Sequence, residues 1–230
     1  MVALAPAISN GDVHVENVSS DGSVIVGAAE FTFSGNSQAF RWTQDGGYQL
    51  LGDLPGGSVG SGADYISDDK TTIIGTSSSA NGREAFRWTQ AGGMVGLGDL
   101  SGGEFRSFTY GVSADGSRIV GYGGTTDSAN NNVSRATIWD ESHGMRRLDE
   151  VLTGMGLDVS GWILSSARAI SPDGNTIVGF GLSPAGKAEG WIAVIPEPGG
   201  LTLLITSLTC ALGRRRQRHH ITSQVRLRPL

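Results

Sequence analysis

The feature that most constrains the fold is an internal repeat. The six residues AFRWTQ at positions 39–44 return unchanged at positions 85–90, a period of 46 residues (86 − 40 = 46), and LGDL at positions 51–54 returns at positions 97–100. A fixed period of this size is typical of arrays in which each unit buries its apolar face against its neighbours. The chain is therefore predicted to be built from similar, stacked modules.

A second motif occurs in four copies, at positions 18–27, 66–75, 112–121 and 170–179. Each copy joins an apolar residue to a β-branched run through a short turn, and three of the four turns contain Asp-Gly. Asp-Gly in this setting predicts a β-hairpin in which both residues take the positive φ angles of a tight primed turn. Lys70 replaces the glycine in the second copy, so that turn is predicted to be looser or of another type.

The β-branched runs are continuous rather than alternating, which is typical of strands buried on both faces. About four strands per unit at this period match the size of a propeller blade. The predicted fold class is all-β: a propeller-like array of about four antiparallel repeats, partial or four-bladed. The repeat domain is assigned to residues 13–195, with repeats at about 13–57, 58–103, 104–149 and 165–195.

Three segments depart from the regular repeat. The fourth copy lacks the LGDL run, which leaves either an open edge or a ring closed by an N-terminal strand such as residues 2–8. The polar insertion at 123–134 is interpreted as an exposed loop. Apolar residues between 148 and 157 indicate a short helix, although Gly154 and Gly156 weaken it.

The repeated aromatic residues are candidates for the core between blades. A tryptophan at a fixed repeat position more often packs between modules than it stacks on a sugar. Arg41 and Arg87, which alternate with these aromatics, are predicted to form structural ion pairs between strands or blades, and Asp53 and Asp99 are the repeated aspartates. The predicted core residues are Phe40, Trp42, Phe86, Trp88, Trp139 and Trp191.

The charge distribution argues against one class of partner. The net charge is −5, but all 22 acidic residues lie at or before Glu197, so residues 1–198 carry −11 and the remaining residues carry +6. Phosphate binding needs a basic face, so the acidic body argues against nucleic acid.

No set of residues predicts a reaction, a cofactor or a metal site. The four histidines are scattered, the single cysteine cannot form a zinc cluster, and neither a nucleophile elbow nor a phosphate loop is present. Asp21, Asp115 and Asp173 each stand alone in a turn, so they are interpreted as turn residues rather than calcium ligands.

The combined motifs D-G-S-x-I-V-G, A-F-R-W-T and L-G-D-L-x-G-G resemble the HAF repeats of bacterial extracellular proteins. The resemblance covers roughly residues 13–195. It implies a propeller-like stack of small antiparallel sheets at or outside the cell surface, and it implies no assigned activity.

The C-terminal segment has a three-part composition. An apolar stretch at 199–213 would span roughly 22 Å as a helix at about 1.5 Å per residue, short of the roughly 30 Å bilayer core, but its flanks favour a single membrane-anchoring hydrophobic helix. Residues 196–218 together resemble the PEP-CTERM sorting signal. The parts that carry the resemblance are Pro196, Glu197 and Pro198 before the stretch, and Arg214, Arg215, Arg216 and Arg218 after it.

This second resemblance implies export, transient anchoring in the membrane through residues 199–213, and recognition of the Pro-Glu-Pro by an exosortase-type membrane protease. Residues 219–230 are interpreted as a basic disordered tail. Residues 1–12 are either an ordinary frayed terminus or the remnant of a signal peptide.

The sequence therefore supports two hypotheses of different classes. The first is a non-catalytic binding or structural protein at the cell surface or in the extracellular matrix, with extracellular polysaccharide as a candidate ligand. The second is a propeller-type hydrolase or lyase that acts on such a polysaccharide. Convergent Asp, Glu, His or Arg side chains at the mouth of the central channel would favour the enzyme, and a channel lined by small and apolar groups would favour binding or scaffolding.

Overall fold

The computed structural model describes residues 12–31 and 36–195, which form four antiparallel sheets and one short helix. We call the sheets blades 1 to 4. Their strands are β1 Val13–Val18, β2 Val24–Phe31, β3 Asn36–Thr43 and β4 Gly47–Gly52 in blade 1; β5 Gly56–Ile66, β6 Thr72–Ser79, β7 Gly82–Thr89 and β8 Gly93–Gly96 in blade 2; β9 Ser107–Val112, β10 Ile119–Thr126, β11 Asn132–Asp140 and β12 Gly144–Arg147 in blade 3; and β13 Ile163–Ile170, β14 Thr176–Leu182 and β15 Ala188–Val194 in blade 4. The helix α1, Leu148–Gly154, follows β12.

Each blade is a meander whose strands pair in chain order. The first strands of the blades, β1, β5, β9 and β13, contact one another in succession, and the main contacts between blades join neighbours in the chain. The result is an open arc of packed sheets, which confirms the predicted all-β, propeller-like array. The predicted C-terminal hydrophobic helix and the N-terminal strand at 2–8 lie outside the described residues.

Apolar residues fill the junctions between blades. At the first junction Phe86 and Trp88 of blade 2 pack against Val26 and Ala39 of blade 1. At the last junction Trp191 of blade 4 packs against residues of blade 3 and α1, with Leu148 and Leu152 fully buried. At both of these junctions, aromatic residues of one blade therefore pack against aliphatic residues of the blade before it.

The glycine that ends each I-V-G run allows the first two strands of a blade to approach closely. A Cβ atom at Gly75 would collide with the carbonyl oxygen of Gly62, and one at Gly121 would collide with that of Phe108. Gly27 and Gly179 are in the same position in blades 1 and 4. Glycine at this position is therefore required by close backbone contact.

A serine and an aspartate hold the turn after each first strand. In blade 1 the Ser19 hydroxyl accepts the Val24 N–H at 2.9 Å and donates to Asp21 Oδ1 at 2.8 Å. Equivalent bonds recur at Ser67 and Asp69, at Ser113 and Asp115, and at Ser171 and Asp173. The repeated aspartates thus act as turn residues, whose bonds with nearby backbone and hydroxyl groups hold the carboxylate.

The turn itself differs from the predicted primed type. The Gly22 N–H donates to the Ser19 carbonyl at 2.8 Å, and Gly22, but not Asp21, has a positive φ, of 72°. The prediction for the second copy is also wrong: Lys70 adopts a φ of 62° and donates its N–H to the Ser67 carbonyl at 2.9 Å, as in the other blades. The serine and aspartate determine the turn, so the lysine is forced into the left-handed conformation.

These turns also connect neighbouring blades. The Asp69 N–H donates to the Ala114 carbonyl at 3.0 Å, and the Ala114 N–H donates to the Pro172 carbonyl at 2.9 Å. Lys70 Nζ lies 2.6 Å from Asp21 Oδ2 and so joins the first two turns. Main-chain bonds and one ion pair therefore connect all four turns along one face of the arc.

The predicted ion pairs of Arg41 and Arg87 are wrong. Across residues 12–31 and 36–195 neither arginine has a carboxylate within 4 Å; Arg41 Nη1 donates to Gln90 Oε1 at 3.2 Å, and the Arg87 guanidinium lies 5.7 Å from the ring centre of Trp139. The LGDL aspartates bind main-chain groups of the next blade instead. Asp53 accepts the Gly60 N–H at 3.0 Å, and Asp99 accepts the Arg106 N–H at 2.5 Å.

Two local predictions can be compared with the structure. The short helix is confirmed, and it ends at Gly154. The loop is shorter than the predicted range 123–134, because β10 extends to Thr126 and β11 begins at Asn132. None of the helices in the described parts of the chain is long and apolar enough to cross a membrane.

Candidate functional site

The first strand of every blade carries a β-bulge at the same position. In β1 the register shifts between Val15 and Asn17, which leaves Glu16 without a partner on β2. The same shift leaves Asp64 in β5, Tyr110 in β9 and Arg168 in β13 unpaired. Bulges redirect side chains and are enriched beside functional sites. We call Glu16, Asp64, Tyr110 and Arg168 the bulge residues.

The bulge residues differ chemically although their positions are equivalent. Two are acids, one is a tyrosine and one is an arginine, whereas the glycine facing each bulge is the same in all four blades. The first strand of every blade thus carries a polar or charged side chain at its bulge.

Aromatic and cationic side chains form a continuous stack from blade 2 to blade 4. Within blade 3 the Phe108 and Tyr122 rings lie 4.9 Å apart, and the Tyr110 and Tyr122 rings lie 5.8 Å apart. The Arg83 guanidinium from blade 2 lies 5.9 Å from the centre of the Phe108 ring. Each guanidinium over a ring face gains cation–π attraction.

The other end of this stack reaches blade 4. The Arg168 guanidinium lies 4.3 Å from the centre of the Tyr110 ring and 4.9 Å from that of Phe180. Phe180 is 43% exposed, although it is a large apolar residue. We call the complete set the cation–aromatic ladder; its members, in spatial order, are Arg83, Phe108, Tyr122, Tyr110, Arg168 and Phe180.

A cleft of about 320 Å³ opens beside the blade 4 end of the ladder. Serine hydroxyls line the rest of it, and Ser166 is only 3% exposed. Within the described part of the chain the buried Ser166 Oγ has no hydrogen-bond partner. The lining residues are Tyr110, Tyr122, Ser134, Ser165, Ser166, Arg168 and Phe180.

A buried hydroxyl without a partner is costly, because it has lost its hydrogen bonds to water. Such a group at the wall of a cleft is commonly satisfied by a bound molecule or by ordered water. Half-exposed aromatic rings, hydroxyls and a guanidinium together make this cleft suited to a polar ligand with an apolar face.

The two acidic bulge residues lie on blades 1 and 2. Burial raises the pKa of the Asp64 carboxyl to about 7, with a further rise from the nearby Glu16 charge and an opposing effect of Arg83. Asp64 is therefore partly protonated near neutral pH. In the described residues no group of three or more His, Cys, Asp or Glu side chains could hold a metal ion.

The residues predicted from the repeat lie away from the cleft. Phe40, Phe86 and Trp191 are fully buried and Trp88 is 5% exposed. Trp42 and Trp139 are partly buried. The predicted sorting-signal residues, which are Pro196, Glu197, Pro198, Arg214, Arg215, Arg216 and Arg218, lie outside the described residues.

The comparisons with known proteins bear on the fold. No protein-family model matches the chain, and no curated protein matches it. Among solved structures, TolB from Acinetobacter baumannii is 15% identical, with 81% of this chain and 42% of that chain covered and a TM-score of 0.50. The fold is a partial β-propeller.

Two further solved structures resemble this propeller. A putative TolB from Agrobacterium tumefaciens is 15% identical, with 83% of this chain and 64% of that chain covered and a TM-score of 0.48. A prolyl endopeptidase is 11% identical, with 81% and 28% covered and a TM-score of 0.50. The chain thus spans less than two thirds of each of these proteins, and the likeness concerns the fold alone.

Neither the bulge residues nor the ladder was predicted from the sequence. One feature of the sequence could have indicated the bulge residues. Each turn is preceded by an apolar residue, and the position two residues before it is occupied by Glu16, Asp64, Tyr110 and Arg168 in the four copies. The motifs around this position repeat, but the position itself does not. The second signal is that Phe108 and Tyr122 have no aromatic counterpart in blade 2, where Gly62 and Thr76 are equivalent.

Proposed function

We propose that the protein is an exported, non-catalytic β-repeat protein that binds a saccharide of the cell surface or extracellular matrix. The observation that carries this proposal is the cleft between blades 3 and 4, which combines the exposed end of the cation–aromatic ladder with an unsatisfied buried hydroxyl. A sugar ring has an apolar face of C–H groups and a rim of hydroxyls. Aromatic rings pack against the apolar face, and serine and arginine side chains bind the hydroxyls.

The proposal also includes the route of the protein to the surface. Pro196, Glu197 and Pro198, the apolar residues 199–213 and the arginines at 214–218 resemble the PEP-CTERM sorting signal. We therefore propose that the protein is exported, is anchored transiently through residues 199–213, and is processed by an exosortase-type protease. Nucleic acid is not a proposed partner, because residues 1–198 carry a charge of −11.

Affinity electrophoresis of the full chain in gels that contain neutral or acidic polysaccharides tests the binding proposal. At least one polysaccharide is expected to retard the wild-type protein, and Phe180→Ala is expected to abolish most of that retardation. Leu182→Ala is the matched control, because Leu182 is 38% exposed and belongs to the same strand but does not line the cleft. Equal retardation of the two variants, or no retardation of the wild type, would refute the proposal.

Cell fractionation tests the sorting proposal separately. In a bacterium that contains an exosortase, the wild-type chain should be released from the membrane to the surface, whereas Glu197→Ala should accumulate in the membrane fraction. Glu141→Ala, at an exposed site of blade 3, is the control. Normal release of the Glu197 variant would exclude sorting through this motif.

The acidic bulge residues favour a second candidate, a hydrolase or lyase that acts on extracellular polysaccharide. Two neighbouring carboxyls can serve as a general acid and a general base, and the raised pKa of Asp64 suits the general acid. Release of reducing or unsaturated sugar ends from polysaccharide by the full chain, and its loss in Asp64→Asn, would support this candidate. Undiminished release by that variant would oppose it.

A further inference from the structure

The contacts of Arg168 indicate which kind of saccharide the cleft binds, an inference that rests on the proposed saccharide binding. The guanidinium lies over two aromatic rings, at 4.3 Å from Tyr110 and 4.9 Å from Phe180. A guanidinium is planar, and its five N–H donors point outward in that plane. The two ring contacts of the Arg168 guanidinium therefore leave the N–H donors around its edge available for hydrogen bonds.

Arg168 is exposed, so these donors are open to solvent. Within residues 12–31 and 36–195, Arg168 forms no ion pair and donates no hydrogen bond. In the same residues, the lysines and arginines that do form ion pairs, such as Arg146 with Asp140 and Arg147 with Asp149, lie outside the ladder. In a body with excess negative charge, a cation without a carboxylate partner at the wall of a cleft points to an anionic ligand group.

Two further guanidinium groups lie near the ladder rings, where Arg83 also faces the Asp64 carboxyl and Arg106 also faces the Asp99 carboxyl. Arg83 at the far end of the ladder also has no carboxylate within 4 Å in the described parts of the chain. Arg106 lies close enough to Tyr122 to lower the pKa of its hydroxyl, although burial raises that pKa overall, and the Arg106 Nε is buried without a partner. Three guanidinium groups thus surround one aromatic stack.

We propose that the cleft binds a carboxylate-bearing sugar of the uronic acid type. The Arg168 fork binds the carboxylate, the exposed face of Phe180 packs on the sugar ring, and the Ser165 and Ser166 hydroxyls bind sugar hydroxyls. A planar, two-oxygen carboxylate matches the paired donors of arginine, which a neutral hydroxyl does not. The ligand also supplies the missing partner of the Ser166 hydroxyl.

Titration calorimetry of the full chain with oligogalacturonate and oligomannuronate, each compared with its methyl ester, tests this inference. The ester keeps the ring and the hydroxyls and removes only the charge. At least one acid is expected to bind about tenfold or more tightly than its ester, because a charge-assisted pair contributes more than a neutral hydrogen bond. Arg168→Gln should remove this preference, so that acid and ester bind with equal affinity, and Arg168→Lys should restore part of it.

The outcomes separate the two proposals. Equal binding of acid and ester, or an unaltered preference in Arg168→Gln, refutes the carboxylate inference but leaves saccharide binding in place. Absence of binding by all four oligosaccharides refutes the carboxylate inference, and the polysaccharide gels then decide the proposed function. Tighter binding of single-stranded oligothymidylate than of any sugar also refutes the inference. Unchanged circular dichroism and urea midpoint of the variants establish that they fold.

Discussion

Replacing Ser107 by alanine is expected to destabilise the junction between blades 2 and 3. The Ser107 hydroxyl is fully buried, accepts the Ala85 N–H of blade 2 at 3.0 Å, and donates to the Gly98 carbonyl at 2.6 Å. Alanine leaves the buried Ala85 N–H and the partly buried Gly98 carbonyl without this partner. Since an unsatisfied buried group costs about 1–3 kcal/mol and the half-buried Gly98 carbonyl costs less than the buried Ala85 N–H, the free energy of unfolding should fall by about 2–4 kcal/mol.

Urea denaturation followed by tryptophan fluorescence measures this effect. With a typical slope of about 2 kcal/mol per molar urea, the midpoint should move down by about 1–2 M while the slope stays constant. Ser117→Ala is the matched control, because its exposed hydroxyl donates only to Asp115 in a turn, and it should change stability by less than about 0.5 kcal/mol.

Ser61 makes the equivalent bonds between blades 1 and 2, so Ser61→Ala should have a similar effect. Its hydroxyl accepts the Ala39 N–H at 2.9 Å and donates to the Gly52 carbonyl at 2.7 Å. If Ser107→Ala and Ser61→Ala are no more destabilised than Ser117→Ala, these hydroxyls do not hold the blades together, and the proposed source of stability at the junctions is wrong.

Two further predictions concern Lys70 and Asp64. Lys70→Gly should stabilise the protein in urea denaturation by up to about 1 kcal/mol, because relief of the left-handed conformation, about 1–2 kcal/mol, exceeds the combined cost of losing the solvent-exposed pair with Asp21 and of the greater unfolded-state entropy of glycine. Lys70→Ala loses the pair without that relief, so stabilisation by alanine would show that the left-handed conformation is not the cause. Because the folded state raises the pKa of Asp64 from 3.8 to about 7, it holds this proton more tightly than the unfolded state. The free energy of unfolding should therefore fall as the pH rises from about 4 to about 7, by at most about 4 kcal/mol, and Asp64→Asn should remove this fall; an unchanged pH profile in that variant would show that Asp64 is not the group responsible.

The sequence predicted the blades but not the site, and the reason is physical. A repeated residue makes the same contact in each blade, so Ser19, Asp21 and their equivalents reveal their role by recurring. The ladder has no such signature, because its members come from three blades and meet only when the blades pack. Phe180 follows Arg83 by almost a hundred residues, and only the structure shows that both reach the same stack.

Two wrong predictions have related causes. The turn at Lys70 was expected to differ because propensity disfavours a positive φ for lysine, but the Ser67 and Asp69 bonds dominate that preference. Arg41 and Arg87 were expected to pair with acids because the aspartates repeat with them. Those aspartates are instead bound by main-chain N–H groups of the next blade, which the side-chain pattern does not show.

The bulge provides a physical reason why this fold can separate stability from ligand binding. Pairing on both sides of the bulge, the facing glycine and the turn beyond it stay the same in every blade, so the backbone that presents the bulge residue is fixed by repeated interactions. The unpaired side chain takes no part in those interactions and can be an acid in one blade and an arginine in another. Binding groups can therefore vary at this position with little effect on the packing between blades, and a change of ligand requires changes at bulge and ladder residues rather than in the repeated motifs.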